Sequence, residues 1–206
     1  MRARLVPFLL AVAACDRATP PERPAPYEYA IRIPDGLVLS FRWPESSLPV
    51  RFWVQPGTDL RHVMEAAIRV WEGAALYHEF TGVIVDDTIG ADIRVRLGSP
   101  FSADPVYTLN CGGSTSIGVE LDTTITLPFV ISLFPRVGVG SGDLADCLAL
   151  VATHEMGHAL GLFQHSDDPQ DLMHALPNPD GLSLRDHATF TTLYHSPVSV
   201  RLPAGR

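Results

Sequence analysis

The sequence predicts a single α+β domain, built as a mixed, twisted sheet with one long helix and a further helix near the C-terminus. Three observations lead there. The 206 residues are 46% hydrophobic, enough for one domain with a real core and short for two. Patterned segments follow in the order strand, helix, several strands, long helix, irregular segment, helix. No internal repeat occurs, which removes solenoid and propeller architectures.

The elements can be justified in order. Leu48 to Gly57 (LPVRFWVQPG) alternates, is β-branched and aromatic, and ends in a Pro-Gly turn, as a strand should. A helix capped by Thr58 or Asp59 follows, with Val63, Ala66, Ala67, Val70, Trp71 and Ala74 spaced to make one apolar face. Gly82 to Asp86 and Ala91 to Leu97 are two strands around a turn at Asp87 to Gly90. Gly98 to Gly113 has loop composition; Ser114 to Val119 and Thr123 to Phe134 are strand-like, with Pro128 marking an edge or a bulge. The long helix starts at Ser141 or Asp143 and ends at Gly161, a residue suited to a left-handed cap. The last helix runs from its cap Ser183 to Tyr194.

The N-terminus has a different character. Two arginines precede an apolar run, Leu5 to Ala14, that is too short for a permanent membrane span and has the form of a secretory signal over residues 1–14. Val12-Ala13-Ala14-Cys15 resembles a bacterial lipobox, which makes Cys15 the expected lipidation site; an ordinary signal with a chance cysteine is the alternative. Residues 15–46 are expected to form a tether, rich in proline and charge from Asp16 to Pro26, and residues 47–198 the folded domain. The expected location is outside the cytoplasm, lipid-anchored to a bacterial membrane at the periplasmic face or cell surface. The net charge of −8 and the absence of any basic run argue against a nucleic-acid partner.

The segment HEMGHALGLFQHSDDPQDLM, His154 to Met173, carries the chemistry. His154 and His158 lie four apart in the long helix, so their side chains project about 40° apart around its axis, within reach of one ion. Zinc suits neutral imidazoles, and catalytic zinc keeps three protein ligands and one open position. Glu155 is turned about 100° from His154, which frees it to act as general base on a zinc-activated water. In the signature H-E-x-x-H-x-x-G-x-x-H the third histidine falls at Gln164, whereas this chain has His165.

The whole segment resembles the metzincin zinc endopeptidases, and within them the matrixin branch. H-E-x-x-H-x-x-G matches His154, Glu155, His158 and Gly161, and H-S-x-D-P-x-x-L-M matches His165, Ser166, Asp168, Pro169, Leu172 and Met173 without a gap. The downstream register is therefore set by His165, and the spare residue is an insertion in the loop after Gly161. A loop absorbs one residue more easily than a helix, where it would turn a ligand by about 100°. The resemblance implies a zincin-like fold and zinc ligands His154, His158 and His165, with Gln164 the poorer competitor. It further implies Glu155 as the catalytic base, Met173 as a Met-turn flooring the metal, and one catalytic Zn2+.

It implies an endopeptidase acting as a monomer on an extended peptide that adds to an exposed sheet edge, for which Ser114 to Val119 is the expected strand. Beyond the motif segment the likeness runs from Leu48 to the last helix by element order alone. His174 and Ala175 replace the tyrosine and proline usual after the methionine, which alters the wall of the S1′ pocket. No acidic loop is specific enough to assign calcium. His62, His78, His187 and His195 have no motif spacing and are expected to be structural or solvent-facing. With Cys15 lipidated, Cys111 and Cys147 form an even pair suited to one disulfide, the alternative being a cysteine that blocks the zinc. Two other functions stand beside the endopeptidase: a non-catalytic exported binding lipoprotein that keeps the zinc site, and a metal-dependent hydrolase of another substrate.

Overall fold

The computed structural model describes residues 24–34, 36–99, 111–136, 140–177 and 181–204. The expected signal over residues 1–14 and the lipidation site Cys15 lie outside the described residues. A two-stranded antiparallel hairpin, β1 (Ile31–Arg32) and β2 (Val38–Leu39), precedes the main sheet. The sheet contains β3 (Val50–Val54), β4 (Gly82–Val85), β5 (Ile93–Leu97), β6 (Cys111–Val119) and β7 (Ile125–Pro135), in the spatial order β4-β3-β5-β7-β6. All neighbours are parallel except β6, which runs antiparallel to β7 and forms one edge.

Three helices complete the domain: α1 (Leu60–Ala74), α2 (Ser141–Ala159) and α3 (Leu184–Tyr194). The α+β class expected from the sequence is the observed one, a five-stranded mixed sheet with helices packed on it. Among the described residues no helix is long and apolar enough to cross a membrane.

Two tryptophan side chains hold α2 in place. Trp71 of α1 donates from Nε1 to the Thr153 carbonyl at 2.9 Å, and Trp43 donates to the Ala159 carbonyl at 3.0 Å. Both indoles are fully buried, so each bond satisfies a polar group that would otherwise be stranded in the core. Phe41, Trp43 and Phe129 stack edge-on or tilted with centroids 5.2–5.7 Å apart, filling the space between the N-terminal segment and β7.

Three expectations need correction. The tether over residues 15–46 ends much earlier than expected: Tyr27, Ala30, Phe41 and Trp43 are core residues, and the pattern of prolines and charges hid them. Val200 is also buried, so packing extends past residue 198. In α1 Ala67, Trp71 and Ala74 are buried as expected, but the face is completed by Leu60, Met64 and Ile68, with Val63 packed at its margin and Val70 exposed, and neither Thr58 nor Asp59 caps the helix through its side chain. The Thr58 hydroxyl instead donates to the Gln55 carbonyl at 2.8 Å.

The third correction concerns Cys111, Gly112 and Gly113, which are strand rather than loop and pair with Pro135, Phe134 and Leu133. Of the two readings of Pro128, an edge or a bulge, the structure takes the second, since β7 is an interior strand. Pro128 lies where the β6–β7 register shifts between Ser116 and Gly118, an irregularity that suits a residue without an N–H to offer the ladder.

Candidate metal centre and catalytic cleft

Helix α2 ends in a way that returns the chain beneath its own histidines. The Gly161 amide donates to the His158 carbonyl and the Leu162 amide to the Gly157 carbonyl, both at 3.0 Å, the bond pair of a Schellman cap. Gly161 has φ +110°, and a Cβ there would collide with the Phe41 carbonyl oxygen, so glycine is required twice over. The chain then passes Phe163, whose amide donates to the Tyr29 carbonyl at 2.9 Å, and arrives at His165.

His154, His158 and His165 each bring one ring nitrogen to a common point, all within 4.8 Å of one another. The backbone sets their tautomers. His154 Nδ1 lies 2.8 Å from the Leu172 carbonyl and His158 Nδ1 lies 2.6 Å from the Leu162 carbonyl, so each Nδ1 must carry the proton and each Nε2 a free lone pair. Burial pushes the His154 imidazole down to about 4 and His158 to about 3, with the neighbouring histidines adding to the effect, so both stay neutral near pH 7. His165, half open to the cleft, is held below its ordinary value for the same reasons.

His158 Nε2 and His165 Nε2 stand 3.2 Å apart. When both nitrogens carry lone pairs they repel rather than bond, unless a cation lies between them. Tetrahedral zinc with Zn–N bonds of about 2.0–2.1 Å places its ligand nitrogens roughly 3.3 Å apart. The donor set, its charge state and the spacing of this pair therefore fit zinc, with all three nitrogens within 4.8 Å of one another.

Glu155 faces the same cleft, which has a volume of about 1030 Å³. Its walls come from β6 (Gly112 to Thr115, Ile117, Val119), from α2 (Val151, His154, Glu155, His158), from the chain after each histidine (Phe163, Ala175 to Pro177), and from Ile31 and Leu39 of the β1–β2 hairpin. Burial raises the Glu155 carboxyl to about 7, opposed by a hydrogen bond from the Thr115 hydroxyl to Oε2 at 2.7 Å. The fit of strand to helix is close. A Cβ at Gly113 would stand 2.6 Å from Glu155 Cγ, Glu155 Oε1 and Val151 Cγ1.

Behind the histidines, Met173 is fully buried and packs against α2 where Gly157 lacks a side chain; a Cβ on Gly157 would overlap the Met173 sulfur. Asp186, also fully buried, holds this turn. Its carboxylate accepts from the Leu172 amide at 2.7 Å, the Ser183 amide at 2.9 Å and the Tyr27 hydroxyl at 2.9 Å. Ser166 closes the loop after His165: its amide donates to the Met173 carbonyl at 2.8 Å and its hydroxyl to Asp171, which also pairs with Arg185 at 3.2 Å.

The structure brings His154, His158 and His165 together with Glu155, and places Met173 under α2. His165 stacks with His154 and meets His158, whereas Gln164 does not line the cleft. Cys111 and Cys147 are joined by a disulfide, Cα–Cα 5.9 Å, which fastens the start of β6 to α2; among the described residues no cysteine reaches the histidines. His174 sits beside Leu176 rather than in the cluster, His62 faces Glu65 at 3.6 Å, and His195 faces Glu79 at 3.2 Å. His78 and His187 are likewise outside the cluster.

Sequence reasoning missed Thr115, Gly113, Asp186 and the hairpin residues Ile31 and Leu39. Only Asp186 had a local signal, the Ser183-x-x-Asp186 capping box, in which the carboxylate reaches back to the cap amide.

Comparison with known proteins agrees with the segment that carries the ligands. Residues 138–195 match the Matrixin family. No curated protein matches the chain. Two solved structures of myroilysin overlay with a TM-score of 0.44 at 17% identity, one covering 76% of this chain and 97% of its own, the other 75% and 86%, below the level at which overlay alone establishes a common fold. The expected resemblance is found from residue 138 to residue 195, the stretch with all three clustered histidines, Glu155 and Met173, which is similar to the Matrixin family.

Proposed function

We propose that the protein is a zinc-dependent endopeptidase in which His154, His158 and His165 hold one zinc ion and Glu155 is the general base. One observation carries this reading: the three clustered imidazoles and the Glu155 carboxylate open into one cleft whose rim is β6, an edge strand among the described residues. A bound zinc ion would act there as a Lewis acid toward water and the scissile carbonyl. Glu155 supplies what a ligand cannot, a carboxylate that takes a proton and returns it to the leaving amine. Burial supports that role, since a carboxyl raised to about 7 exchanges protons readily near neutrality.

Among the described residues β6 has no neighbour on its outer side, and an extended peptide can pair with it while laying side chains into the cleft. The apolar lining from Val151, Phe134, Leu176 and Pro177 favours an apolar side chain there, and Ala175 in place of proline makes that wall smaller. Calcium is not assigned. The protein works as a monomer, exported and held on a bacterial membrane by lipid on Cys15, a reading supported by the sequence Leu5 to Cys15.

The test uses the zinc-loaded chain from Asp16 onward with a diverse peptide mixture, beside Glu155→Ala, with products identified by mass spectrometry. Cleavage that the variant loses supports the endopeptidase. Zinc binding by both proteins with no cleavage by either would favour the exported binding protein instead. Radiolabelled fatty acid retained by the full chain and lost in Cys15→Ala tests the anchor.

A further inference from the structure

Glu155 needs a fixed orientation, because a carboxylate that swings toward the ligand nitrogens would compete with them, and one that swings toward the protein would leave the cleft. Something must hold it. Among the described residues the only side chain hydrogen-bonded to its carboxylate is Thr115, whose Oγ1 is 2.7 Å from Oε2 and 2.8 Å from the backbone carbonyl of the same residue. Thr115 belongs to β6, the strand at whose edge substrate would pair.

Strand periodicity explains why the two residues meet. Gly113 and Thr115 point to the same face of β6, two positions apart, and both contact Glu155. Gly113 lets strand and helix approach closely; Thr115 spans the slightly wider gap two residues on with a hydroxyl. A β-branched side chain is stiff at χ1, so the hydroxyl is aimed with little freedom. The disulfide between Cys111 and Cys147 fastens the same two elements four residues before Thr115 and eight before Glu155.

We propose that Thr115 is a positioning residue for the catalytic carboxylate: its hydroxyl holds Glu155 Oε2 against the edge strand, so that the strand which receives the substrate also orients the base. The proposal rests on Glu155 acting as base. It makes β6 a shared reference for both reactants, and correct placement of a catalytic group relative to substrate is where a large part of rate acceleration originates.

The test compares zinc-loaded parent, Thr115→Val, which keeps the shape and loses the hydroxyl, and Thr115→Ser, which keeps it, with Thr115→Ala as a second hydroxyl-free variant should valine impair folding. Expected are a kcat lower by roughly ten- to a hundredfold in the hydroxyl-free protein, KM unchanged, zinc content unchanged, and most of the rate restored by serine. A readout independent of activity is the carboxylate stretch of Glu155 at alkaline pH, isolated by infrared difference against Glu155→Gln. It should move in Thr115→Val and return in Thr115→Ser.

A kcat within twofold of the parent in the folded hydroxyl-free variants would overturn the proposal, as would a carboxylate stretch that does not move. If the parent cuts no peptide, the endopeptidase reading fails, and the infrared comparison alone decides whether Thr115 holds Glu155.

Discussion

The Asp186 carboxylate accepts a hydrogen bond from the Leu172 amide at 2.7 Å, while the carbonyl of that same Leu172 meets His154 Nδ1 at 2.8 Å. A buried acid on the last helix thus orients the His154 imidazole through one peptide unit. All its partners are donors, so an amide in its place would direct N–H groups at N–H groups.

Asp186→Asn is therefore expected to destabilise the protein by about 2–4 kcal/mol and to weaken zinc binding roughly ten- to a hundredfold. Urea melts and zinc titration against a competing chelator measure the two effects. A stable variant with parental zinc affinity would show that the Leu172 peptide is held by other contacts.

The insertion after Gly161 makes a sharp prediction about neighbouring residues. His165→Ala should lower zinc affinity by more than about a hundredfold, whereas Gln164→Ala should leave it within a factor of about two, because His165 lines the cleft and Gln164 does not. The reverse ranking would mean that the loop rearranges to use the register of the uninterrupted signature.

The metal-free protein should lose stability on acidification, and the sign follows from three buried groups. His154 and His158 fall from 6.5 to about 4 and about 3, so below pH 6.5 the unfolded chain gains two protons that the folded chain refuses. Glu155 rises from 4.5 to about 7, so between those values the folded chain holds one proton the unfolded chain lacks, which works the other way. Two losses against one gain leave a net fall of about 1.4 kcal/mol per pH unit from pH 6.5 to 4.5, and the fall levels off below about pH 4 to 3, where the folded chain takes up the histidine protons too. Thermal melts of chelator-treated protein across that range provide the check, and stability that holds level or rises on acidification would contradict the burial of these groups.

The disulfide closes a loop with a sequence separation of 36, for which the chain-entropy estimate is roughly 4 kcal/mol. A Cys111→Ala, Cys147→Ala double variant should lose about that much in urea unfolding, and reductant should have no further effect on it. A difference below about 1 kcal/mol would indicate that packing between β6 and α2 suffices to hold them.

Much of the metal site was legible because its information is local. Helical spacing places His154 and His158 on one face, Gly161 supplies the left-handed turn, and the run from His165 to Met173 continues within a few residues. The same locality failed for the N-terminal segment. Tyr27, Phe41 and Trp43 lie in a stretch whose prolines and charges read as a tether, and their burial depends on α2, β7 and α3, which lie far along the chain. The Gly112-Gly113 pair was read as a loop for a related reason: what glycine does there is admit Glu155 and Val151 from a helix some forty residues later.

By itself the sequence determined the α+β class, the helix that carries the ligands, and the identity of the donors, since each follows from spacing along one short piece of chain. The tertiary structure alone decided that Thr115 touches Glu155 and that Asp186 stands behind His154. The physical reason is sequence separation. A ligand pair four residues apart is fixed by helix geometry, whereas contacts between residues 40 and 14 positions apart exist only once sheet, disulfide and core have packed the chain together.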